Sequence, residues 1–147
     1  MNIKHEIKKM IESYDTIIIH RHQRPDMDAI GSQYGLALLL KENYKNKKIY
    51  VVGDLNEMSY KAQMDDINDD IYQNALAIIT DVSVTRMISD DRYKLAQDII
   101  IIDHHQNDTD VDNVSIFYKD PSFASAAEMV IDLARTFEFH ITSEAAT

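Results

Sequence analysis

At 147 residues, 45% hydrophobic and 27% charged, the chain has material for one folded domain with a substantial core. No apolar run is long enough to span a bilayer, and Met1-Asn2-Ile3-Lys4-His5 leads into no signal-peptide core. A net charge of −10 excludes a non-specific grip on long nucleic acid, and the absence of cysteine excludes disulfides and thiolate ligands and fits a cytoplasmic compartment.

The spacing predicts a first helix over Asn2 to Tyr14, where Ile3, Ile7, Met10, Ile11 and Tyr14 share one face. Thr16 to His20 reads as a short buried strand, and it runs directly into His20-Arg21-His22-Gln23-Arg24-Pro25-Asp26-Met27-Asp28. A helical pattern takes over from about Ala29 and continues through Leu36, Leu38, Leu39 and Leu40 to Glu42. A polar turn, Asn43 to Lys48, precedes a second strand from Ile49 to Asp54. Ser59 to Gln73 is acidic and weakly helical. Ala75 to Asp81 is a third strand that ends on an acid; Val84 to Ser89 reads as a short polar helix, and Asp90 to Gln97 leads into the next strand.

That fourth strand, Asp98-Ile99-Ile100-Ile101-Ile102, is apolar on both faces and breaks off at Asp103-His104-His105. An acidic loop, Asn107 to Asn113, leads to a fifth strand, Val114 to Tyr118, with Asp120 close behind. Ser125-Ala126-Ala127-Glu128 has the spacing of a capping box for a helix through Arg135. Ile141 to Thr147 reads as the start of another helix, so the sequence is expected to be part of a longer chain. With 3 Gly and 2 Pro there is no flexible linker. Strands alternating with helices predict an α/β fold: a doubly wound, mostly parallel five-stranded sheet with helices on both faces and right-handed crossovers.

Ligands in such sheets bind beyond the carboxyl ends of the strands, near a topological switch point. Strands one, three, four and five all deliver Asp or His to that edge, in His22, Asp26, Asp28, Asp81, His104 and Asp120. A lone Asp at a strand end usually caps the following helix. Several such ends together make a site. Imidazole with carboxylate, and no sulfur, suits Mn²⁺, Mg²⁺ or Zn²⁺. Asp26 and Asp28 stand two apart, so in an extended loop they face opposite sides and each serves a different ion, with a third carboxylate bridging the two. Two ions about 3.5–4 Å apart stabilise the attacking and leaving oxygens of a phosphoryl transfer, with a deprotonated bridging water as nucleophile.

Other chemistries lack their residues: there is no Gly-x-Ser-x-Gly elbow, no Gly-rich phosphate loop and no cysteine nucleophile. Gly31-Ser32 either presents amides to a phosphate or makes a simple turn. Arg86 either meets a phosphate or lies solvated on the surface. Cations near the motifs are few, namely Arg21, Arg24 and Arg86.

These motifs resemble those of the DHH phosphoesterase family. The family's first motif, a histidine followed by Pro-Asp-x-Asp, matches His22-Gln23-Arg24-Pro25-Asp26-Met27-Asp28. Its second matches Asp81, although Asp81-Val82-Ser83 stands where Asp-Thr-Ala is commoner; the third is Asp103-His104-His105 and the fourth Asp120. The wider phrase from His20, with Gly31-Ser32-Gln33 after it, looks most like the nanoRNase/pAp-phosphatase branch. The resemblance implies that His22, Asp26 and Asp81 hold one Mn²⁺ and that Asp28, Asp81, His104 and Asp120 hold the other, with Mg²⁺ or another divalent ion as substitutes. It also implies that His105 faces the phosphate and that Asp103 supports from behind.

In that branch a DHHA1 domain follows, with a motif that grips the substrate. Residues 1–147 are expected to be the DHH domain alone, binding metal but turning over slowly. The implied activity is metal-dependent hydrolysis of short oligoribonucleotides and of 3′-phosphoadenosine 5′-phosphate. The alternatives are a linear or cyclic dinucleotide phosphodiesterase, a family II inorganic pyrophosphatase, or a metal- or nucleotide-binding module without turnover. Expected partners are short RNA oligonucleotides or small nucleotides, not long nucleic acid or a membrane, and a homodimer stays open.

Overall fold

Isoleucine runs with no polar residue on either side bury both faces only inside a covered sheet. That is where they lie in the computed structural model, which describes residues 2–54 and 63–141. The elements run α1 (Ile3–Glu12), β1 (Thr16–His20), α2 (Met27–Asn43), β2 (Lys48–Val51), β3 (Leu76–Thr80), β4 (Asp98–Asp103), β5 (Ile116–Lys119) and α3 (Ala126–Thr136). Short 3₁₀ turns occupy Asp69–Tyr72, Thr85–Met87 and Asp91–Leu95. The sheet has five strands in the order β2-β1-β3-β4-β5, every pairing parallel. The chain steps outward from β1 to β2 and then returns to the far side of β1 for β3. The crevice between the ends of β1 and β3 is therefore the switch point.

Alternation along each strand divides its side chains between two cores. Ile17, Ile19, Ile49, Val51, Leu76, Ile78, Ile100 and Ile102 meet Ile7 and Ile11 of α1, Leu36 and Leu40 of α2, and Met129 and Leu133 of α3. Ala77, Ile79, Ile99 and Ile101 meet Val82, Ile88, Tyr93 and Val111 on the opposite face, where Ile18 packs with Tyr72. The α/β class and the five-stranded sheet are as the sequence predicts. Helical cover differs between the faces, with α-helices on one and 3₁₀ turns carrying Tyr72 and Tyr93 on the other.

The helix expected over Val84 to Ser89 and the lead-in from Asp90 to Gln97 both close as 3₁₀ turns, each too short to propagate an α-helix. Of the acidic stretch Ser59 to Gln73, the described part holds only the 3₁₀ turn at Asp69–Tyr72, and the rest lies outside the described residues. The helix expected from Ile141 also lies outside them, apart from that residue. At α3 the Ser125 hydroxyl accepts from the Glu128 amide at 3.2 Å. The Glu128 carboxylate reaches back to the amide of Ala124 at 3.3 Å, one residue beyond a standard capping box. Among the described residues, no helix is long and apolar enough to cross a membrane.

Candidate metal centre

β1, β3 and β4 end side by side, in register, so the residues that follow them are neighbours whatever their separation in the chain. Asp81 takes the first position after β3 with φ +66, a left-handed conformation that Asp adopts more readily than most residues. Its amide stays in the ladder, donating to Ile102 at 2.9 Å. Its carboxylate is 3% exposed and stands between two imidazoles: Oδ2 lies 3.3 Å from Nε2 of His22 and Oδ1 lies 3.4 Å from Nε2 of His104. Oδ1 has no hydrogen-bond partner among the described residues. A buried carboxylate oxygen without a donor is costly, and a cation is what relieves it.

Each imidazole is aimed. Nδ1 of His22 is 2.7 Å from the Gln23 carbonyl, which only accepts, so Nδ1 carries the proton and Nε2 faces the acids. Asp26 approaches the same Nε2 at 3.7 Å. Asp28 approaches Nε2 of His104 at 3.4 Å. Two sets of donor atoms lie within 4.8 Å of one another, His22 with Asp26 and Asp81, and Asp81 with His104 and His105. This donor set, imidazole with carboxylate and a buried orphan oxygen between the two groups, fits divalent cations.

Asp26 and Asp28 do diverge, although not in an extended loop. Asp26 is the N-cap of α2, its Oδ1 accepting from Ala29 at 2.8 Å, and Asp28 already lies in the first helical turn. Asp26 keeps the extended backbone of an N-cap, and the divergence shows in their partners, His22 for Asp26 and His104 for Asp28. Capping α2 and approaching His22 therefore coexist at Asp26.

His22 pairs with Asp81, and this hydrogen bond raises its pKa to about 9 against the cost of burial. Without metal it is an imidazolium at neutral pH. Burial pushes the Asp81 carboxyl above its usual range, His22 pulls the other way, and the neighbouring Asp28 charge adds to the rise. Asp103, fully buried, accepts from the His105 amide at 3.2 Å and from its Nδ1 at 2.6 Å. That leaves Nε2 of His105 outermost on a half-exposed ring, whose centroid lies 4.3 Å from that of His104 with the planes tilted by 39°.

The remaining candidates have other partners. Asp120 continues the β5 ladder, its amide donating to Asp103 at 3.1 Å, and its carboxylate accepts from the amide and hydroxyl of Ser122 at 3.0 and 2.5 Å. Among the described residues no hydrogen bond or ion pair joins it to the cluster. Ser32 is fully buried inside α2, its hydroxyl donating to Ala29 at 3.3 Å. Arg86 is exposed on its 3₁₀ turn and Arg24 is exposed, whereas Arg21 is fully buried and donates to the Asp54 carbonyl. Arg21 is therefore no substrate clamp.

Gln33 was legible only as part of a phrase. It is fully buried, and its amide bridges the Ile19 and Val52 carbonyls at 2.7 and 2.8 Å, tying β1 to the end of β2 beneath the site.

Residues 16–147 match the family model described as the DHH family, N-terminal domain. The probable bifunctional oligoribonuclease and PAP phosphatase NrnA of Streptococcus mutans is 41% identical over 92% of the chain and 44% of its own length. The bifunctional oligoribonuclease and PAP phosphatase NrnA of Bacillus subtilis is 38% identical over 89% of the chain and 42% of its own length. The chain thus spans less than half the length of these relatives. An exopolyphosphatase-related protein from Bacteroides fragilis shares the fold with a TM-score of 0.75 at 24% identity, over 91% of this chain and 43% of that one. The His-Asp cluster at the switch point and the match along nearly all of the sheet lead to one conclusion: the chain belongs to the DHH family.

Proposed function

We propose that the chain is the metal-holding domain of a phosphoesterase that hydrolyses short oligoribonucleotides and 3′-phosphoadenosine 5′-phosphate, using two divalent cations, Mn²⁺ before Mg²⁺. The observation that carries this reading is Asp81, whose two oxygens address separate imidazoles while one of them lacks any donor. His22, Asp26 and Asp81 would hold one ion, and Asp81, Asp28 and His104 the other. When bound, such ions stabilise charge on the attacking and leaving oxygens and lower the pKa of water.

The chain's own groups supply the rest. Asp103 keeps the proton of His105 on Nδ1, so Nε2 is free to meet a phosphate oxygen or a proton in transit. Arg86 and Arg24 offer exposed guanidinium groups to the remaining phosphate charge. The test is turnover by the full-length protein, with Mn²⁺, of 3′-phosphoadenosine 5′-phosphate, pApA, 2- to 5-mer RNA and pyrophosphate. Preferential cleavage of the short RNAs and the bisphosphate, lost in His105→Asn, is the expected result. A clear preference for pApA or pyrophosphate would replace this reading with one of the alternatives.

A further inference from the structure

The first four amides of an α-helix have no partner within it, and three of those of α3, at Ala126, Ala127 and Glu128, find side-chain acceptors. Ser125 takes the amide of Glu128. The other two donors go to a residue about a hundred positions away: Ala126 donates to Asp28 Oδ2 and Ala127 to Asp28 Oδ1, both at 2.9 Å. The same Oδ2 lies 3.4 Å from Nε2 of His104, whose other carboxylate neighbour is the buried, partnerless Oδ1 of Asp81. Each carboxylate oxygen has two lone pairs, so two amides fix the plane of the group and leave acceptor capacity facing the cluster.

The helix that holds Asp28 is itself anchored to the helix that carries it. At the far end of α2, the Asn43 side chain donates to the His140 carbonyl at 2.9 Å and accepts from its amide at 2.8 Å. α2 is thus tied to the start of α3 and to the segment just beyond its end, with buried Leu36, Leu40, Met129 and Leu133 in the common core. A tilt of α3 would move Asp28.

We propose that α3 is a positioning element of the metal centre: the Ala126 and Ala127 amides hold Asp28 in the orientation that receives the ion shared with Asp81 and His104. Occupancy of that position and placement of α3 are then coupled. This rests on the metal reading given above.

The test uses Mn²⁺ titration by calorimetry on the chain as it stands, without an activity readout. Ala126→Pro deletes one donor at the first helical position, where proline is otherwise tolerated and where Ser125 already has extended backbone. Ser125→Ala weakens the same helix while leaving both Asp28 bonds. Ala126→Pro is expected to weaken one of two Mn²⁺ sites by about 10- to 100-fold, as loss of a ligand's supporting partner does. The other site should change little, and Ser125→Ala should lower the melting temperature with both affinities kept.

Wild-type affinity in Ala126→Pro, or an equal loss in Ser125→Ala, would overturn the proposal alone. No Mn²⁺ binding by the wild type would overturn the metal reading as well. Amide exchange on the wild type gives a check that needs no variant to fold. The Ala126 and Ala127 amides should be protected with and without Mn²⁺, although such positions ordinarily exchange fast; free exchange in the Mn²⁺-loaded chain would overturn the proposal.

Discussion

At Asp81 the backbone itself is committed to the site, since a left-handed φ of +66 costs a non-glycine residue stability and turns the carboxylate into the crevice. Under the proposed function, Asp81→Asn should cut phosphoester turnover by more than the ~10–100-fold that removal of an outer partner costs, with the fold retained by circular dichroism. The two histidines nearby answer pH in opposite senses. His22, with a pKa raised to about 9, must shed a proton to accept a cation, so Mn²⁺ affinity should climb between pH 7 and 9 in calorimetric titrations. His20 is fully buried against Tyr72 and Tyr93, and burial lowers its pKa to about 4. The unfolded chain therefore binds the extra proton between pH 6.5 and 4, and the folded state should lose on the order of 3 kcal/mol across that window. Urea midpoints in EDTA should fall less steeply with acid for His20→Gln than for the wild type. Residue types singled out His22, Asp81 and His104 because acids and imidazoles recur after several apolar strands, where one alone would read as a cap. They did not disclose that Arg21, one of the few cations near the motifs, is fully buried with its side chain against Gly53.

Two glycines measure how much the elements leave to chance. A Cβ on Gly53 would fall 2.8 Å from Arg21 Nε, and its φ of +148 is one that other residues rarely adopt. A Cβ on Gly31, inside α2, meets nothing within 4 Å. Gly53→Ala should destabilise the chain by about 1–3 kcal/mol, whereas Gly31→Ala should stabilise it by about 0.5–1 kcal/mol, both read as shifts of the urea midpoint. β1 and β4 were legible to within a residue because β-branched runs state their own limits. The 3₁₀ cover over Tyr72 and Tyr93 was not, since three to five residues carry no periodicity to read. The bond from Asp28 to α3 was equally hidden, because local pattern does not reveal which distant helix end will need an acceptor.

For the whole molecule, a net charge of −10 is a cost with a location, as three carboxylates converge on two imidazoles at the switch point. The fold pays that cost because parallel strands bring Asp26, Asp28 and Asp81 together irrespective of how far apart the chain carries them. Divalent cations should return the difference as stability, since a ligand that binds only the folded state stabilises it by mass action. The most direct measurement is thermal unfolding in EDTA and in excess Mn²⁺, for the wild type and for Asp81→Asn. At about a hundredfold over Kd, the wild type should melt roughly 5–10 °C higher with Mn²⁺, and Asp81→Asn should gain little. Equal wild-type melting temperatures in the two conditions would contradict the account.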